Sequence, residues 1–151
     1  MQIPAKADYA IRALLTLAQS PDSVSTDILA AEQHLPTKFL SSIMSELRRG
    51  EIVHSQRGSG GGFRLARPAN EITIADVLRA LSGPMAGVRG MRPETLEYDG
   101  AASLLRDVWV AVRASLRQVL EHVTLDDIAQ GHLPAAVTQF TSDPDAWTTR
   151  T

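Results

Sequence analysis

The sequence predicts a mainly α fold with one small β-hairpin. Three observations carry that expectation. Amphipathic segments with helical spacing fill residues 4–49. Two short strand-like runs, Ile52–Gln56 and Phe63–Ala66, flank the glycine-rich span RGSGGG. Residues 101–123 then repeat apolar side chains along one broad helical stripe. Three helices followed by a hairpin is the order of a winged helix-turn-helix. The last segment adds a long C-terminal helix whose stripe is too broad for so small a domain to cover, which suits it to dimerisation.

Each element has a local reason. Residues 4–19 place Tyr9, Ile11, Leu14, Leu15 and Ala18 at helical spacing, with Pro4 suited to a first turn. SPDSV breaks that helix. Ser25 or Thr26 can cap a second one, with Ile28, Leu29 and Leu35 on its apolar side, and Pro36 separates it from a third. In the third helix, Thr37–Arg49, Phe39, Leu40, Ile43, Met44 and Leu47 form one stripe. The other side carries Lys38, Ser41, Ser42, Ser45, Arg48 and Arg49, with Glu46 as its only acid. Such a face is either solvated surface or a set of hydroxyls and cations for phosphates and base edges. Gly50 then suits a left-handed helix terminus.

After the hairpin, Thr73 with Asp76 resembles a capping box, and Ile74, Val77, Leu78 and Leu81 give one apolar face before Gly83-Pro84. Residues 84–100 read as an ordered loop. In the long helix Leu104, Leu105, Val108, Val112, Leu116, Val119, Leu120 and Val123 are apolar, with Trp109 beside them, and Thr124 opens a short capped turn. The expected organisation is a winged helix-turn-helix DNA-binding domain over 1–83, a loop over 84–100, the dimerisation helix and capped turn over 101–134, and a frayed polar tail over 135–151.

Composition excludes several classes. The chain has no cysteine, which removes disulfides, thiolate zinc sites and cysteine-ligated clusters. Its four histidines, His34, His54, His122 and His132, are scattered without metal-ligand spacing. No apolar run is long enough to span a membrane, and the N-terminus lacks a continuous apolar signal core, so a cytoplasmic protein without a membrane partner is expected. No catalytic spacing of Ser, His and Asp occurs, and adjacent Asp126-Asp127 suit a helix N-terminus. A non-enzyme is expected. The net charge of −2 hides a local excess: residues 38–67 hold six Lys/Arg against two Asp/Glu, which points to a polyanionic partner there.

The glycine span fits no nucleotide motif. A P-loop needs a Lys-Ser/Thr pair and a following helix, and a dinucleotide fingerprint needs a different spacing. Gly58, Gly60, Gly61 and Gly62 either give a permissive hairpin turn or, with Ser59 and Arg57, a slim tip for the narrow minor groove. A winged-helix protein-interaction module is the competing reading to DNA binding.

IPAKADYAIRALLTLA, FLSSIMSELRRGEIVHSQRGSGGGFRLARPANEITIADVLRALSGP and VTLDDIA resemble the Rrf-two family of bacterial transcription regulators, which includes the IscR, NsrR and BadM types. The pattern R-G-x-G-G-G-[FY] is the most specific part. The resemblance implies a winged-helix homodimer binding double-stranded DNA at a palindromic operator, mostly as a repressor. It implies that Lys38 and Ser41 face base edges, that Arg57 and the glycine tip enter the minor groove, and that Lys6, Tyr9 and Arg48 lie near phosphates. Many members hold an iron–sulfur cluster on three cysteines before the dimerisation helix, and another arrangement uses an acid and a histidine of the first helix together with cysteines. This chain has no cysteine, and Arg12 follows Asp8 where a histidine would be needed, so the cluster is not carried over and no cofactor is expected. Arg89, Arg92 and Glu94 are either contacts to a small, anionic ligand or ion pairs that brace the loop.

Overall fold

The computed structural model describes residues 2–150. It is mainly helical: α1 (Ala5–Gln19), α2 (Thr26–Glu32), α3 (Thr37–Arg49), α4 (Ile74–Ser82), α5 (Leu105–Leu120), α6 (Leu125–Ala129) and α7 (Ala135–Thr141), with strands β1 (Val53–Gln56) and β2 (Gly62–Leu65) between α3 and α4. The predicted fold class, a winged helix-turn-helix with a long C-terminal helix, is the one observed.

The core forms where the apolar stripes of α1, α3 and α4 meet. Ala7, Ala10 and Leu14 of α1, Leu40, Ile43, Met44 and Leu47 of α3, and Val77 of α4 are buried together. Full burial of one such aliphatic side chain contributes about 1.5–3 kcal/mol, so this cluster fixes how the third helix stands on the first. Two expected core residues stay out: Ile28 and Phe39 are exposed, and Phe39 instead meets Tyr9 edge-on with ring centroids 5.8 Å apart.

β1 and β2 pair antiparallel with Val53 opposite Leu65, His54 opposite Arg64, Ser55 opposite Phe63 and Gln56 opposite Gly62. A third partner was not visible in the sequence. Val24, between α1 and α2, bridges Phe63 through two backbone hydrogen bonds of 2.9 and 2.8 Å. That bridge anchors the hairpin beside the start of α2.

The turn after α3 differs from the sequence expectation. Gly50 has φ −81° and is not left-handed; Glu51, at φ 56°, takes that conformation. The glycine is required by packing, because a Cβ at Gly50 would lie 2.6 Å from the Ala80 Cβ on α4. α3 and α4 therefore touch backbone to side chain at this point.

The C-terminal half is tied to the same core. Thr73 and Thr124 each open a helix with a full capping box, closed by Asp76 and Asp127. The two segments pair with each other: Ile74 N–H donates to Val123 O and Leu125 N–H to Ile72 O, both at 2.9 Å. This pairing draws the chain out of the helix after Leu120, where the sequence extends it to residue 123. At its other end a 3-10 turn, Gly100–Ala102, precedes α5. Val123 and Leu125 join the core with α1, so the core runs across the expected boundary between the winged domain and the residues after the long helix.

The expected frayed tail is a correction. Residues 135–141 form α7, and Val137 is buried in the core. Two apolar residues one turn apart, Val137 and Phe140, are too short a pattern to stand out from polar neighbours. Further on, the Trp147 indole N–H donates to Thr141 O at 2.8 Å while its ring stays exposed.

Candidate nucleic-acid interface

α3 and the hairpin both carry exposed cations. Because Leu40, Ile43, Met44 and Leu47 are committed to the core, helical geometry turns Lys38, Ser42, Ser45, Arg48 and Arg49 outward, with Ser41 half-buried at the edge. Arg57 is exposed just after β1, and Arg64 of β2 is exposed opposite His54, on the hairpin face away from Val53 and Ser55. Arg48 reaches across to the hairpin, where its Nη1 donates to Ser55 Oγ at 3.4 Å.

These charges are left open. Among the described residues, Lys38, Arg48, Arg49, Arg57 and Arg64 take part in no ion pair. Most other cations do pair: Arg12 with Asp8, Arg67 with Asp76, Arg79 and Arg117 with Glu121, Arg113 with Glu94. The single acid of α3, Glu46, is neutralised by Lys6, whose Nζ lies 2.8 Å from Glu46 Oε2 and also donates to Leu81 O at 3.1 Å. Lys6 thus joins α1, α3 and α4. Tyr9 is similarly occupied: its ring meets Phe39 and its backbone carbonyl accepts from the Gln33 amide at 3.1 Å.

The glycines of the wing divide into two pairs. Gly58 and Gly60 have φ 95° and 77°, and a Cβ on either would meet no described atom within 4 Å; they supply the turn and form the open tip. Gly61 and Gly62 are pressed against the protein itself. A Cβ at Gly61 would lie 2.6 Å from Gln56 O and Gly58 O, and one at Gly62 2.2 Å from Val24 O. Ser23 donates to the Gln56 side chain at 3.0 Å and steadies the base of the hairpin from the same side.

The 84–100 loop separates the three residues suggested for a ligand. Arg89, at φ 53°, lies over the Tyr98 ring, 5.9 Å from its centroid. Glu94 is bound by Arg113 of α5, and Arg92 lies in the same cleft. A hydrogen bond from its own backbone N–H, followed by that from Arg113, holds the Glu94 carboxyl below its ordinary range. Arg79, Arg113 and Arg117 line that cleft too, and sequence reasoning missed them. The available signal was Arg113 and Arg117, four residues apart and off the apolar stripe of the long helix.

The donor set does not fit a cysteine-ligated cluster. The chain has no cysteine, the loop presents arginines, and among the described residues no trio of His, Asp or Glu is placed to hold a metal ion. No helix among the described residues is long and apolar enough to cross a membrane.

Helix-turn-helix, flanking wing and unpaired cations together define a winged helix-turn-helix DNA-binding protein. Residues 3–131 match the family model described as "Rrf2: Iron-dependent Transcriptional regulator", and the chain belongs to this Rrf2 (Rrf-two) family of DNA-binding transcriptional regulators. A Mycobacterium tuberculosis protein named as an HTH-type transcriptional regulator is 49% identical over 145 residues, covering 95% of this chain and 90% of that one. The HTH-type transcriptional regulator CymR of Bacillus subtilis is 31% identical over 131 residues, covering 85% and 90%. The solved structure of B. subtilis CymR, described as the global cysteine regulator of that organism, superposes with a TM-score of 0.72 at 29% identity, covering 87% and 98%. That of T. potens IscR gives 0.69 at 27%, covering 100% and 94%. The family and these relatives are regulators and not enzymes.

Proposed function

We propose that this protein is a cytoplasmic repressor that binds an inverted-repeat operator as a homodimer and works without an iron–sulfur cluster. The observation that carries the DNA-binding part is the cluster of five unpaired cations on α3 and the wing, in a chain where most other arginines are paired. In this reading Lys38, Ser41, Ser42 and Ser45 reach base edges from the major groove. Arg48 contacts a phosphate, and Arg57 with Gly58, Ser59 and Gly60 approaches the minor groove. Gly61 shapes the tip from behind. Lys6 and Tyr9 act one step back, by neutralising Glu46 and by supporting Phe39 at the start of α3.

The homodimer reading rests on α5. None of its residues is buried, and Val108 and Val112 along its apolar stripe are exposed, as is Leu104 just before it. A second copy of the same helix is the partner that covers such a stripe on both chains at once. Two reading helices then stand about 34–36 Å apart, which demands two half-sites one helical turn apart. Repression follows the habit implied by the family resemblance.

Genome-wide mapping of the DNA bound by the full chain tests the reading. An inverted repeat at that spacing beside repressed genes is the expected result. Bound sites without a shared sequence, or no bound DNA, would refute it.

A further inference from the structure

The cleft between α4, the 84–94 loop and α5 is the strongest feature that the DNA interface leaves unused. Its volume is about 390 Å³, and it is lined by Arg79, Gly83, Pro84 and Met85 from the end of α4, Arg92 and Glu94 from the loop, and Arg113 and Arg117 from α5. Pockets for small ligands begin at about 300 Å³. Four guanidinium groups and one carboxylate line it.

The carboxylates nearby do not balance the arginines. Glu121 is shared by Arg79 and Arg117, and Asp76 is shared by Arg79 and Arg67. Glu94 serves Arg113, whose side chain is only 13% exposed. Arg92 joins none of the ion pairs among the described residues. Four arginines thus share three acids while Arg92 has none, and of these five Arg79, Arg92, Arg113 and Arg117 line the concave site. Arginine forks match planar or tetrahedral oxyanions in bidentate fashion, so the chemistry of this cleft suits a small ligand with several anionic oxygens.

We propose that this cleft binds a small oxyanion carrying at least two negative charges, a phosphate or a di- or tricarboxylate, and that it is an effector site. The ligand bridges Arg92 and Arg117 across the cleft mouth and competes with Glu94 and Glu121 for Arg113 and Arg79. Its occupancy has a short route to the DNA-reading helix. Gly83 and Pro84 directly follow the Leu81–Ser82 end of α4, and the Leu81 carbonyl is held by Lys6, which also holds Glu46 of α3. Ala80 touches α3 at Gly50. A ligand that draws the end of α4 toward α5 therefore acts on α3 through contacts already made. The regulatory consequence rests on the DNA-binding reading, while the binding site itself does not.

Isothermal titration of the full chain without DNA, using sodium pyrophosphate and sodium citrate at matched ionic strength in chloride, tests the site. Saturable binding of either probe is expected, and the one that binds tells phosphate from carboxylate chemistry. R92A and R117A should each weaken it by about tenfold or more, the scale of one charge-assisted hydrogen bond. Circular dichroism verifies that both variants fold. Lys38→Ala, on the DNA face, should keep anion binding unchanged, so that a failure of the DNA reading leaves this result standing. Absence of saturable binding by both probes overturns the proposal. Binding that survives in both R92A and R117A, or that is lost in K38A, overturns it equally.

Discussion

Gly62 lies against Val24 so closely that a Cβ on the glycine would stand 2.2 Å from the Val24 carbonyl oxygen. The segment holding Val24 exchanges hydrogen bonds with β2 through Val24 and Phe63. This contact fixes the base of the wing, and so the angle at which its tip leaves the domain. Gly62→Ala adds a backbone clash to an unfavourable φ of 149° and should cost more in urea unfolding than the same change at Gly60. Gly60→Ala, with open space around it, should cost only the left-handed penalty of about 1–2 kcal/mol and leave the hairpin seated on Val24. Amide exchange at Phe63 distinguishes the two, rising in the first variant alone.

Lys6 keeps the only acid of α3 out of play. Lys6→Met leaves the Glu46 carboxylate beside a surface read as facing DNA phosphates, so operator affinity should fall. The pair is partly exposed, and the stability cost should stay within about 1 kcal/mol. Glu46→Gln in the same chain should restore both quantities, measured by anisotropy and by urea unfolding.

The exposed stripe of α5 predicts a specific failure. Val108→Glu or Val112→Glu places a charge where a second copy would have to bury it, at a cost that one exposed chain never incurs. Light scattering coupled to gel filtration should show dimer for the parent and monomer for either variant, with the helical content unchanged. Operator binding should be lost along with the dimer.

Glu94 gives a pH dependence of known sign. Its carboxyl is held below the ordinary range by its own backbone N–H and by Arg113. Stability from this ionised state is therefore fully present above the ordinary Glu range and is lost as pH falls through the lowered value. Glu94→Gln should flatten that acid limb in a series of thermal melts, and leave the neutral side of the profile parallel to the parent.

Much of this molecule was legible in the sequence because its signals are local or periodic. The stripe from Leu40 to Leu47 announced both the core and the outward cationic face of α3. The Thr73 and Thr124 capping patterns announced two helix starts. What stayed hidden depends on partners distant along the chain. Gly50 looked like a helix terminus and is instead a packing glycine, because Ala80 is invisible from residue 50. Two wing glycines looked like features of a slim tip and are held by Gln56, Gly58 and Val24. Val137 in a short polar tail carried too little pattern to reveal a buried helix. Arg79, Arg92, Arg113 and Arg117 come from three segments, so only folding reveals that they share one cleft.

The most direct measurement is fluorescence anisotropy of the full chain on a labelled duplex taken from its mapped sites, over a series of salt concentrations. Log affinity should fall linearly with log salt, with a slope near −0.9 per phosphate neutralised. Arg48→Ala should reduce that slope by about one. Lys38→Ala and Arg57→Ala should each cost about 1–3 kcal/mol, the scale of a good base contact. Affinities equal to the parent in both Lys38→Ala and Arg57→Ala, with an unchanged salt slope in Arg48→Ala, would contradict DNA reading by α3 and the wing.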